Sequence, residues 1–350
     1  MTLLRGLLLP LLLAAALGSL LHFGVGPRVG AYPARIMMDV GVAIILAVSL
    51  TIVNGYTGQF SMGHAGFMAL GAYAAGTITY YGSLLAWGDC AKQGGFLGVG
   101  EWMLVAACLA AGLVAAGAGW LVGLPSLRLR GDYLAIVTLG FGEILRVLLQ
   151  QTNPQIFAAD SLHEATWRQL LPPPVGGAQG FADIPKYANL FWIYVFVAVT
   201  VAFAYRLKQS STGRAMLAIR EDEVAAQAMG VNVTRLKVRA FVAAAFFAGV
   251  AGGLYAHQSG AILRPVDAGF LRSFDIIIMV VLGGMGSISG AIVAAIILTV
   301  LPQALLNLAQ YRMVLYALAL VLLMIFRPQG LFGVKEIWDL WPRRARRTKP

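Results

Sequence analysis

Apolar runs of about twenty residues, roughly ten of them, fill most of this chain, and twenty is the length a helix needs to cross the hydrocarbon core of a bilayer. The expected spans are 6–23, 36–53, 61–81, 101–123, 133–151, 188–206, 239–257, 274–285, 287–307 and 311–326. In a bilayer every backbone N–H and C=O needs an internal partner, so only helices and closed barrels cross it. Barrel strands read as ten-residue alternating segments, and the sequence has none. Charged residues make up 12% of the chain, where a soluble domain carries about a quarter. The 41 glycines fit membrane helices, whose backbones approach closely at small residues. The expectation is an all-α, polytopic transmembrane helical bundle of about ten spans. It forms a single domain over 1–350, with a charged loop at 206–239 and a basic tail at 328–350.

Against this background one stretch stands apart. Arg206 to Arg239 holds seven Lys/Arg and the consecutive acids Glu221, Asp222 and Glu223, around an Ala225-Ala226-x-x-x-Gly230 core. Spanning a membrane requires no such segment. Being pushed by a soluble partner does, so the loop points to a transporter subunit that receives mechanical work from the cytoplasm. The spacing predicts one helix from Arg214 to Met229, capped by Thr212 and stopped at Gly230. At 1.5 Å per residue it would be about 24 Å long. Met216, Ile219, Val224 and Ala228 would share one face.

The net charge of +11 would suggest nucleic acid in a soluble protein; here the positive-inside rule accounts for it. With the N-terminus inside, 17 of the 26 Lys/Arg fall on the cytoplasmic side. They are Arg5, Arg128, Arg130, the loop, Arg327, Lys335 and the tail 343–349. Both termini are therefore expected in the cytoplasm, with the tail against anionic headgroups. Ala14, Ala15 and Ala16 offer a cleavage site, but the parity of the spans favours a retained first helix. Cys90 and Cys108 have no metal or disulfide spacing and are given no role.

Two glycine-rich interruptions break the apolar pattern, at Asn54–Gly66 and at Gly283–Gly290. Broken backbone at membrane depth is tolerated where it is buried in protein or lines a cavity. Paired interruptions in the two halves of a chain point to an inverted repeat with a central pathway.

Five segments taken together resemble one family. They are NGYTGQFSMGHAGFMALGAYAAG (54–76), LRLRGDYLAIVTLGFGEILR (127–146), TGRAMLAIREDEVAAQAMGVNVTRLKVRAF (212–241), VLGGMGSISGAI (281–292) and RPQGLFG (327–333). They are similar to LivM-type permease subunits of branched-chain amino acid ABC importers. The resemblance implies a multi-pass protein of the bacterial inner membrane that translocates branched-chain amino acids inward. It also implies a second homologous permease, two cytoplasmic ATPase subunits and a periplasmic amino acid-binding protein as partners, within the lipid bilayer. No nucleic acid is involved. The chain lacks the G-x-x-x-x-G-K-[ST] phosphate loop, so it is expected to be no enzyme and to carry no cofactor, ATP being bound by the partners. ATPase coupling then falls on Arg220, Glu223, Ala225, Ala226 and Gly230. One departure stands out: such loops commonly read Glu-Ala-Ala-x-x-x-Gly, and here Val224 precedes Ala225 while Glu223 lies one position earlier.

The translocation pathway is expected at Tyr56, Gln59, Ser61, His64 and Glu143, with Phe60, Met62 and Phe67 offering an apolar slot. Taken singly, Ser61 and His64 more often bond neighbouring helices. Glu143, three residues before Arg146, reads first as a structural ion pair. An intramembrane carboxylate is also a functional-site hypothesis in its own right. Arg35 with Asp39 and Arg272 with Asp275 read as interfacial pairs, more often a solvated rim than a contact for the binding protein. Three alternatives remain: a permease for urea, amides or sugars, an ATP-independent carrier coupled through Glu143 and His64, and a membrane enzyme. The last lacks a catalytic motif.

Overall fold

A computed structural model describes residues 15–16, 18–25, 28, 30–126, 132–157, 172–258, 262–306, 311, 314, 317–318, 321, 325–327, 330–333 and 336–337. Most of the expected first span, Arg5, Arg128, Arg130, most of the tenth span and the tail 343–349 lie outside these residues. The fold is all-α; the one bridge between described residues joins Phe181 to Leu263.

In chain order the helices are α1 (Ala31–Leu50), α2 (His64–Trp87), α3 (Val99–Ser126), α4 (Asp132–Gln150) and α5 (Leu190–Gln209). Then come α6 (Ser211–Glu221), α7 (Glu223–Ala228), α8 (Val233–Ala256), α9 (Phe270–Gly283) and α10 (Ile288–Ala304). Among the described residues, α3, α4, α5, α8 and α1 with its terminal π-turn Thr51–Gly55 are long and apolar enough to cross a membrane. The expected span at 239–257 starts earlier, at Val233, because Asn232 caps the helix by accepting from Arg235 N–H.

From Val40 to Val48 α1 is apolar on all sides, as a helix at the centre of a bundle must be, and from Val42 to Tyr56 the chain is buried throughout. Around it pack α5, α8, α9 and α10. Small residues set the tightest crossing, between α2, α8 and α3. A Cβ on Gly71 would strike the Gly249 backbone, and one on Gly249 would lie 2.7 Å from Ala111 O. By contrast α3 and α4 turn large apolar side chains outward, among them Leu113, Trp120, Leu121, Tyr133, Ile136 and Ile144. That outer face suits lipid or another apolar helix surface.

Candidate functional site: the coupling loop and the two helix breaks

α1 and α9 run in the same direction and each ends at a glycine-rich break, where the two breaks touch. A Cβ on Gly55 would lie 2.8 Å from Gly286 N and 2.9 Å from Gly286 Cα. Gly284 and Gly286 have φ of 106° and 101°, a region that side-chain-bearing residues rarely enter. The segment after α10 returns to cover this point: Leu331 N–H donates to Leu282 O at 2.8 Å and Phe332 N–H to Gly283 O at 3.3 Å. Backbone from three distant parts of the chain therefore converges at one end of the bundle.

Arg220, at the end of α6, joins the charged loop to this point. Its Nη1 donates to Gly55 O at 2.9 Å and to Met285 O at 3.1 Å, one carbonyl from each break. Beside it Lys208 Nζ donates to Gly286 O at 2.7 Å and to Glu336 Oε1 at 2.5 Å. Glu336 in turn accepts from the N–H groups of Ile288 and Ser289 and from the Ser289 hydroxyl. Its carboxylate thus sits on the N-terminus of α10, where the helix dipole favours negative charge. The sequence reading singled out neither Lys208 nor Glu336. Glu336 and Asp339 are the two acids of an otherwise basic tail, and that contrast is the signal that would have found the first of them.

Burial alone would raise the Glu336 pKa, but the bonds from Lys208, Ser289 and the two backbone N–H groups outweigh it and hold the carboxyl below its ordinary value of 4.5. A lowered folded-state pKa contributes stability in full above the unfolded value, and that stability is lost as pH falls through the folded one. Glu336→Gln should therefore lower stability by roughly 3 kcal/mol at neutral pH, since a buried pair loses one partner. The gap in melting temperature between wild type and variant should hold down to about pH 5 and close only below it. A gap that is constant through the acid range would show that Glu336 carries no charge here.

The loop itself differs from the single helix expected. Asp222 is extended, and its carboxylate accepts from Val224 and Ala225 N–H, ending α6 and starting α7. Asp is a weak helix-interior residue and a strong N-cap, so the chain turns here. Ser210, not Thr212, caps α6, accepting from Gly213 N–H. The turn divides the expected apolar face. Met216 and Ile219 are buried, whereas Val224 is 73% and Met229 85% exposed. Ala226 faces inward and Ala225 outward. Glu223 pairs with the largely buried Lys237 at 2.7 Å. Gly230 ends the segment with φ of 82° and open space where a Cβ would be.

The expected pathway residues are enclosed. Tyr56 OH donates to Ala204 O at 3.2 Å, Ser61 N–H to Asn54 Oδ1 at 3.3 Å, and Gln59 Oε1 accepts from Thr57. His64 Nε2 is 2.8 Å from Ser49 Oγ. These bonds support the non-helical backbone between α1 and α2. Glu143 stands apart from them on α4, half-exposed. It accepts from Arg146 at 2.6 Å and from Phe270 N–H at 3.1 Å, so it caps the N-terminus of α9. Among the described residues, no group of His, Cys, Asp and Glu is placed to hold a metal.

Known proteins share this chain's pattern over most of its length. The family described as branched-chain amino acid transport system / permease component matches residues 32–326. The high-affinity branched-chain amino acid transport system permease protein LivM of Escherichia coli is 36% identical over 323 residues, covering 82% of this chain and 67% of that protein. LivH of the same organism, also named as a permease of that system, is 28% identical over 303 residues, covering 84% and 92%. The probable branched-chain amino acid transport permease protein LivM of Methanocaldococcus jannaschii is 24% identical over 344 residues, covering 86% and 93%. No solved structure matches the chain significantly.

Proposed function

Because this chain belongs to the family of branched-chain amino acid transport permease components, we propose that it is the membrane-spanning permease of an ABC importer, driven through Arg220. It carries branched-chain amino acids across the membrane. Two ATPase subunits bind and hydrolyse ATP, a second homologous permease lies beside it, and a periplasmic binding protein delivers the amino acid. The loop 206–239 and both termini lie in the cytoplasm of a bacterial inner membrane.

The observation that carries this reading is the two-sided nature of the loop. Its outward side offers Val224, Ala225 and Met229, apolar side chains that are exposed among the described residues and suit a docking partner. Its inward side holds one carbonyl of each helix break through Arg220. Closure of the ATPases would move α7, and Arg220 would pass the displacement to Gly55 and Met285 together. The path then opens beside the displaced breaks. Tyr56, Gln59, Ser61 and His64 form its wall, and Glu143 steadies the start of α9.

The test is reconstitution of the chain with its partner permease, ATPases and binding protein in proteoliposomes. ATP-dependent leucine accumulation is expected. Gly230→Trp puts a bulky side chain on the docking face, at a backbone angle costing roughly 1–2 kcal/mol. It should leave insertion intact and cut uptake to about a tenth or less. Normal uptake in that variant would remove the docking assignment, and leucine movement without ATP would replace the importer by a carrier.

A further inference from the structure

At the end of the bundle away from the charged loop, α1, α9, α10 and the end of α8 line a partly open cavity of about 490 Å³. That size is typical of small-molecule sites. Arg35, Asp39, Arg272 and Asp275 all line it. They were expected as separate rim pairs, i to i+4 and i to i+3 on their own helices. Instead the four charges meet across helices, and none closes an ion pair among the described residues: Asp39 accepts from Gln258 Nε2 at 2.8 Å, and the Arg272 guanidinium lies 5.8 Å from the Tyr255 ring centroid. Two further lining groups are buried without a partner among the described residues, Gln258 Oε1 and Thr299 Oγ1. Gln258 is only 2% exposed. Buried polar atoms left unpaired are costly and mark places where a ligand or water belongs.

The lining also has a direction. Along α1 it passes from Arg35 and Asp39 to Ala43 and Leu46; along α9 it passes from Arg272 and Asp275 to Ile276 and Met279. On α10, which runs the other way, Gln303 lies towards the charged end and Leu298 towards the apolar one. Two helices therefore place charge, and the third an amide, at the outer end, with hydrocarbon deeper. Two cations and two anions cancel, so the cavity suits a ligand with both charges and no net charge.

We propose that this cavity is a binding site for a zwitterionic α-amino acid with an aliphatic side chain. Asp39 and Asp275 take the ammonium group and Arg35 and Arg272 the carboxylate. The aliphatic side chain points inward among Leu46, Ile276, Met279 and Leu298. Gln258 Oε1 and Thr299 Oγ1 supply the remaining polar contacts. This assignment rests on the importer reading above for its direction of transport, and on the cavity alone for its ligand.

The experiment is equilibrium binding of radiolabelled L-leucine to the full chain in lipid nanodiscs. The competitors are 4-methylpentanoate, which lacks the ammonium group, and 3-methylbutylamine, which lacks the carboxylate. Unlabelled leucine should compete at least about tenfold better than either, because each analogue leaves two charged side chains of the cavity without their partner. Asp275→Asn and Arg272→Gln should each weaken binding by about tenfold, and Met279→Trp should abolish it by filling the apolar end. Equal competition by the amine or by the acid overturns the zwitterion assignment, and needs no variant to fold. Absence of binding, in a chain whose assembled importer still accumulates leucine with ATP, overturns the site and leaves the importer standing. Leucine binding with this pattern, in a chain whose assembled system ignores ATP, keeps the site and removes the importer.

Discussion

Arg220→Ala should cut ATP-driven leucine uptake by about a hundredfold while the complex still assembles and hydrolyses ATP. Two charge-assisted hydrogen bonds are lost, each worth roughly 1.5–3 kcal/mol, and two break carbonyls lose their shared partner. The side chain points into the bundle, so its loss removes little of the docking surface formed by Val224 and Met229. Transport should therefore fail at transmission rather than at assembly. Arg220→Lys should recover only part of the activity, because an ammonium group is a point charge without the reach and planar fork of a guanidinium. Uptake and hydrolysis measured together on one preparation make the check. If both fall in proportion, Arg220 supports docking or folding and not the transfer of movement.

Gly55→Val should have the largest effect on stability. Its Cβ would press on the backbone of Gly286 and on the Thr51 side chain, and the Gly286 backbone is itself held by Lys208 through the Gly286 carbonyl. Overpacking a tight site costs typically 1–3 kcal/mol when side chains can adjust, and here the neighbour is backbone. A loss of roughly 3 kcal/mol or more is expected, seen as a lower melting temperature in detergent or loss of the protein from the membrane. Gly140→Ala is the matched control, since nothing stands within 4 Å of a Cβ there. It should be neutral or slightly stabilising in a helix. Equal behaviour of the two variants would mean that the breaks do not touch.

The sequence carried the class of fold because twenty-residue apolar runs have few uses, and it carried the two breaks because glycine clusters interrupt those runs. Gly230 as a stop was likewise legible from its position. The division of the loop at Asp222 was legible in principle, since an aspartate followed by Glu223 is a helix start. A continuous apolar spacing from Met216 to Ala228 outweighed it. What lay beyond reading were contacts set by tertiary packing. Arg220 meets carbonyls 165 and 65 residues away, and a carbonyl leaves no mark on the sequence. Arg35, Asp39, Arg272 and Asp275 each had a plausible partner within one turn. Only the packing of α1 against α9 shows that the four line one cavity and that, among the described residues, neither local pair closes.

In this account the charged loop and the two breaks move as one body. The most direct measurement is dipolar EPR on spin labels at the exposed positions Glu221, Met285 and Lys92, with the assembled importer in nanodiscs at rest and trapped with nucleotide. The Glu221–Met285 distance should stay fixed while both change their distance to Lys92 at the far end of the bundle. A Glu221–Met285 distance that changes on nucleotide binding, with Met285 still relative to Lys92, would contradict the account: the loop would be moving without taking the breaks with it.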